Sequence, residues 1–134
     1  IQVHAGVPIS VKAYAQVLAA LGAGGYRDET LGKSGAIDYG DRHFTCFQFP
    51  YDWRRSCAEN ASALSGFIEE KRRYVVAERL RRYGAAGPVR FDLVAHSMGS
   101  LVVRHYLGYG ALLRVSSFPP TSGKLTGGAF LASP

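Results

Sequence analysis

Residues 89–107 hold a serine between an apolar run and an amphipathic run. Residues 89–94 carry apolar side chains on both faces, as a central strand of a parallel sheet must. Residues 100–107 repeat their apolar side chains at helical spacing. Only residues 95–99 separate the two runs, with Ser97 at their centre. A strand, a sharp turn and a helix are therefore predicted, with Ser97 held at a strained positive φ that lifts its hydroxyl clear of the backbone.

A serine at such a turn is the nucleophile elbow of an α/β-hydrolase. The residues two before and two after it are pressed together and must be small, which Ala95 and Gly99 satisfy. The motif alone is weak, because about one chain in ten of this length carries it by chance, and a serine that caps a helix is the simpler interpretation. The flanking strand and helix favour the elbow. They predict Ser97 as the nucleophile and the backbone N–H of Met98 as one oxyanion-hole donor.

The whole chain alternates strand-like and helix-like segments. The strand-like segments are residues 1–3, 43–49, 89–94 and 125–132. The helix-like segments are residues 10–22, 58–83, with a break near Gly66 left open, and 100–107. This alternation predicts one incomplete α/β domain over residues 1–134, with a parallel sheet and flanking helices: part of an α/β-hydrolase fold. The carboxyl ends of three strands should then meet at one rim.

A serine nucleophile needs a histidine base and an acid that orients the base. In this fold both follow the serine along the chain. No aspartate or glutamate follows Ser97, and the only histidine after it is His105. Eight residues of helix place His105 about 12 Å from Ser97, too far to act as the base. The triad is therefore expected to be incomplete in this sequence.

The loop after the second strand combines aromatic and charged residues: Tyr51, Asp52, Trp53 and Arg54. A buried ion pair between Asp52 and Arg54, with Trp53 as an aromatic plug that braces the elbow, is the simpler interpretation. Direct contact with substrate is the alternative. His96 is expected to pack or bond locally, because neighbouring side chains diverge at a sharp turn.

The formal charge of +6 comes mostly from basic residues at 71–82 of the long predicted helix. Acidic residues begin this helix and basic residues end it, which complements the helix dipole and predicts a solvated face. Weak attraction to an anionic membrane surface is the alternative. Nucleic-acid binding is not expected, because aromatic and basic residues are not interleaved. No metal or cofactor is expected either, and Cys46 and Cys57 are predicted to be free thiols, with a disulfide left open.

Several segments occur together in a specific order. They are Ile-Gln-Val at 1–3, Gly-Tyr-Arg-Asp-Glu-Thr at 25–30, Phe-Pro-Tyr-Asp-Trp-Arg at 49–54, Ala-His-Ser-Met-Gly at 95–99 and Phe-Leu-Ala-Ser-Pro at 130–134. In this order they resemble the lecithin:cholesterol acyltransferase family and its bacterial lipase-like relatives. Ser100 departs from the family, which often has a second glycine there.

The resemblance implies an acyl-enzyme mechanism on a lipid-like carboxylic ester. Ser97 would attack the ester, and the acyl group would pass to water or to an alcohol. It also implies that the family's triad aspartate and histidine lie beyond residue 134, and the first half of the oxyanion hole and part of the lid before residue 1. A non-catalytic hydrolase-like domain that binds lipid or a partner is the alternative.

Overall fold

The computed structural model describes residues 9–109 and 128–132, with side chains from residue 15 to residue 109. The elements are, in order, α1 (Ile9–Ala23), α2 (Glu29–Lys33), β1 (Cys46–Phe49), α3 (Cys57–Tyr83), β2 (Phe91–Val94), α4 (Met98–Tyr109) and β3 (Gly128–Ala132). The predicted helices match α1, α3 and α4, while β1 and β2 are shorter than predicted. The predicted strand at residues 1–3 lies outside the described residues. None of the helices in the described ranges is long and apolar enough to cross a bilayer.

Local sequence accounts for both ends of α3, the longest helix. Ser56 accepts the backbone N–H of Glu59, whose carboxylate in turn accepts the backbone N–H of Ser56, which forms a capping box. Gly84 ends the helix in the left-handed conformation, with φ of 72°. The helix continues through Gly66, so no break occurs at that residue.

The described strands form an antiparallel sheet in the order β1-β3-β2, rather than the predicted parallel one. β3 lies between the other two and runs antiparallel to both, with Leu131 opposite Cys46 and Ala132 opposite Phe91. Two strands antiparallel to a common neighbour point the same way, so β1 and β2, which α3 connects, do share one direction. The alternation of strands and helices predicts the direction of that helix-linked pair. It does not determine the direction of β3, which follows residues 110–127.

The core lies between the sheet and one face of α3. Buried side chains form two clusters, one of Phe49, Tyr51, Ala61, Leu64, Ile68 and Val102, the other of Phe47, Val75 and Val89. α4 packs against α3 and contributes Val102 to the first cluster. This packing places the start of α4 beside the residues that follow β1.

The segment before β1, predicted to be a loop, contains the short helix α2 and a buried polar cluster. Asp28 caps α2, accepts two hydrogen bonds from the Gln48 amide and contacts the Cys46 thiol at 3.4 Å. Burial, with a smaller contribution from Asp28, raises the pKa of Cys46. Both Cys46 and Cys57 are free thiols, as predicted.

Lys71 is an exception to the predicted solvated basic face of α3. Its side chain is buried, and its ammonium lies 5.4 Å from the ring centre of Phe47 and 5.2 Å from that of Phe67. It pairs with Glu29 of α2 at 2.9 Å and with Glu70 at 3.2 Å. Helical periodicity missed this lysine because a long side chain can bury its stem when a partner carboxylate comes from another element.

Candidate active site

The turn between β2 and α4 has the backbone geometry that the sequence predicts. Ser97 has φ of 54° and is the only non-glycine residue with positive φ in the described part of the chain. The Gly99 N–H donates to the His96 carbonyl at 3.0 Å, and the Ser100 N–H donates to the Ser97 carbonyl at 2.9 Å. Ser97 is exposed. The turn therefore presents this serine to solvent at the end of a strand.

The space around Gly99 limits which residues can follow the serine. Gly99 is buried, and a Cβ added to it would lie 3.6 Å from the Tyr51 hydroxyl and 3.9 Å from the Ala95 Cβ. These are ordinary contact distances, so a methyl group fits at this position. The packing around Gly99 is therefore close but would still admit alanine.

Met98 begins α4 immediately after Ser97. As the first helical residue, it carries one of the backbone N–H groups that have no acceptor within the helix. The helix dipole makes this end electropositive. Its side chain packs against the first core cluster, which anchors the start of the helix. A backbone donor next to the serine is thus oriented by a packed helix rather than by a free loop.

Asp52 and Arg54 form a two-point ion pair, but they form it at the surface. The Arg54 guanidinium donates to both carboxylate oxygens of Asp52, at 2.8 and 2.7 Å, while its own side chain is 69% exposed. Side-chain and backbone hydrogen bonds from Arg54 lower the pKa of Asp52 to about 2. Trp53 is 62% exposed. The predicted aromatic plug is therefore wrong, and the predicted ion pair forms but is buried only at Asp52, whose side chain is 16% exposed. The pair closes a local turn that directs the indole towards solvent.

Tyr51 and Asn60 hold this loop against the helices. Tyr51 is buried, stacks on Phe49 with ring centres 6.2 Å apart, and reaches the α4 turn at Gly99. Asn60 is also buried and donates from its amide to the carbonyls of Asp52 at 2.9 Å and Arg55 at 3.4 Å. Sequence reasoning missed Asn60. An asparagine inside the first turns of a helix, where it is intrinsically unfavourable, is the signal that could have found it.

His96 and His105 lie in different surroundings. His96 is exposed, and its carbonyl serves the α4 turn. The His105 ring centre lies 5.0 Å from that of Tyr109, and its buried Nδ1 has no hydrogen-bond partner in the part of the chain that the structure describes. Among the described residues, the Ser97 hydroxyl has no hydrogen-bond partner. The described part of the chain thus brings together Ser97, the Met98 N–H and Tyr51, but it places no base beside Ser97.

Within the described residues, no group of three or more histidine, cysteine, aspartate or glutamate side chains could hold a metal ion.

A family model described as Lecithin:cholesterol acyltransferase matches residues 11–112, well over half of the chain. The matched span includes the loop with Tyr51 and the turn with Ser97. Neither the curated proteins nor the solved structures contain a match to the chain.

Proposed function

Because the chain belongs to the lecithin:cholesterol acyltransferase family, we propose that it carries the nucleophile of an enzyme that hydrolyses or transfers acyl groups of lipid-like esters. Family membership already associates the chain with lipid substrates and acyl transfer. The further proposal is that Ser97 performs the reaction. It rests on one observation: an exposed serine with positive φ between a strand and the start of a packed helix.

The reaction proceeds in two steps at Ser97. Its hydroxyl oxygen attacks the ester carbonyl carbon while the hydroxyl proton passes to a base. The carbonyl oxygen becomes negatively charged and accepts a hydrogen bond from the Met98 N–H. Collapse of this intermediate expels the alcohol, which takes up the proton, and leaves an acyl-serine ester. Water or a second alcohol then attacks that ester, the acyl group leaves as a carboxylic acid or a new ester, and the serine oxygen regains a proton from the attacking hydroxyl through the base.

The neighbouring residues position this turn and border it. Tyr51 braces the start of α4 at Gly99, and the pair of Asp52 and Arg54 keeps the loop folded against Asn60. Trp53 and Arg54 are exposed at the same loop and are proposed to contact substrate. His96 is proposed as a further bordering residue.

We also propose that residues 1–134 belong to one α/β-hydrolase domain, in which β1 and β2, which run in the same direction, are strands of a larger sheet. No acidic residue follows Ser97 in the sequence. We also propose that basic side chains of α3 make weak contact with an anionic membrane surface.

Intact mass after exposure of the chain to a fluorophosphonate tests the serine directly. Any adduct is expected to disappear in Ser97→Ala and to persist in Ser100→Ala, a matched control because Ser100 is exposed three residues later on α4. Circular dichroism of each variant establishes that it is folded. An adduct retained by Ser97→Ala would contradict the assignment. A folded chain with no adduct would favour the non-catalytic alternative for the chain alone.

A further inference from the structure

A groove of about 680 Å³ separates α1 from the chain that follows it. Apolar side chains make most of its walls: Leu18 and Ala19 on α1, and Tyr26, Leu31, Ile37 and Tyr39 on the opposite side. Neither the Ser97 turn nor the loop at residues 51–54 lines it. A groove of this size and lining falls within the range of small-molecule sites, which combine apolar walls with a few polar groups.

The polar groups in the groove are two arginines and one aspartate. Arg27 is partly engaged, because its guanidinium donates to the His43 carbonyl at 3.0 Å and to the Gly25 carbonyl at 3.3 Å. Asp38 accepts the Gly40 N–H at 2.7 Å. Arg42 is exposed, and its guanidinium has no partner among the described residues. The lining thus has an excess of one positive charge, and Arg42 offers its hydrogen-bond donors to a ligand.

We propose that this groove binds a long-chain fatty acid. Its acyl chain lies along the apolar walls, where removal of each methylene from water favours binding. Its carboxylate pairs with Arg42, because a guanidinium presents paired donors that match a carboxylate. A fatty-acid ester offers the same chain without the negative charge. The groove is a binding site separate from Ser97 and does not depend on the serine's reaction.

Displacement of a fluorescent fatty acid by oleate measures this binding. Arg42→Gln is expected to weaken oleate binding about tenfold, and methyl oleate should bind the unaltered chain with a similar loss. Arg90→Gln removes an exposed arginine that does not line the groove and should change affinity less than twofold. Equal binding of oleate and methyl oleate, or equal effects of the two arginine substitutions, would overturn the proposal.

A steric pair of variants locates the site. Ala19→Phe places a large side chain in the groove and should abolish binding, whereas Ala20→Phe, an exposed neighbour outside the lining, should not. Ser97→Ala should bind oleate like the unaltered chain, and Ala19→Phe should keep its fluorophosphonate labelling. Loss of oleate binding in Ser97→Ala would move the site to the serine and overturn the proposal. So would a dimer, seen by light scattering, that Ala19→Phe dissociates, because a second copy would then fill the groove.

Discussion

At the scale of single residues, the backbone of Ser97 carries a conformational cost. A non-glycine residue in the left-handed region is less stable than in the right-handed region by about 1–2 kcal/mol. Such strain persists only where the surrounding structure enforces it, and it concentrates at functional sites. Here the end of β2 and the packed start of α4 enforce it.

Substitution of Ser97 should reveal this strain. Ser97→Gly is expected to raise the free energy of unfolding by up to about 1 kcal/mol, because glycine adopts φ of 54° without a steric penalty. Ser97→Val should lower it by about 1–2 kcal/mol, since a β-branched side chain fits this region poorly. Urea denaturation measures both, and a glycine variant less stable than the valine variant would contradict the strain.

The Asp52 carboxyl gives a second prediction at this scale. Its pKa of about 2 depends first on hydrogen bonds from Arg54, so Arg54→Ala should return it towards its ordinary value of 3.8. Arg55→Ala should shift it less, because Arg55 acts only through its charge. An NMR titration of the carboxyl measures both. Since the pKa is lowered on folding, the stabilising effect is present above about pH 3.8 and is lost as the pH falls towards 2.

At the scale of elements, Gly66 of α3 and Gly32 of α2 have opposite surroundings. Gly66 lies on the exposed side of α3 with nothing within 4 Å of an added Cβ. A Cβ on Gly32 of α2 would lie 2.5 Å from Phe44 and 2.9 Å from Tyr39. The first glycine therefore only weakens its helix, whereas the second allows α2 to approach two aromatic rings.

These surroundings predict opposite effects of the same substitution. Gly66→Ala should raise the free energy of unfolding by about 0.5–1 kcal/mol through helix propensity. Gly32→Ala should lower it by about 1–3 kcal/mol, because the rings must move to admit a methyl group. Thermal and urea denaturation of the two variants measure the difference. Equal effects would show that the rings do not restrict α2.

At the scale of the whole molecule, His43 links folding to pH. Its ring is buried at the start of the strand region, stacks edge-on with Tyr83, and has no hydrogen-bond partner at either nitrogen among the described residues. Burial lowers its pKa below 6.5, and the charges of Arg27, Arg82 and Arg79 lower it further, against a smaller opposing effect of Glu78.

The stability of the chain should therefore fall in acid. Above about pH 6.5 the imidazole is neutral in both states, so it adds no pH dependence. As the pH falls below 6.5, the unfolded chain binds the proton first, and the free energy of unfolding decreases until the lowered pKa of folded His43 is passed. His43→Phe should flatten this dependence relative to pH 8. Urea denaturation from pH 8 to pH 5 measures it, and an unchanged slope would exclude His43 as its source.

The charge of the whole molecule predicts only weak surface binding. Many basic side chains of α3 are already paired: Arg82 lies 2.9 Å from Glu78 and 3.2 Å from Asp41. We expect sedimentation with anionic vesicles at low salt, little at about 0.15 M salt, where charges are screened within about 8 Å, and none with neutral vesicles. Binding to DNA at about 0.15 M salt would contradict the expectation that the chain does not bind nucleic acid.

Local sequence predicted much of the fold and one part of the site. The three longer helices and the positive φ of Ser97 follow from residues that are neighbours along the chain. Their sterics and hydrogen bonds act over a few residues, so the pattern alone determines them. The order of residues 89–107 by itself determined that a serine stands between a strand and a helix.

Contacts between distant segments decided the rest. The direction of β3 depends on which strands it pairs with, and the burial of Lys71 depends on Glu29 of another helix. Asn60 and the groove beside α1 likewise exist only once separate elements pack together. Pattern reasoning could not reach these features, because the energy of each depends on a partner that neighbouring residues do not specify.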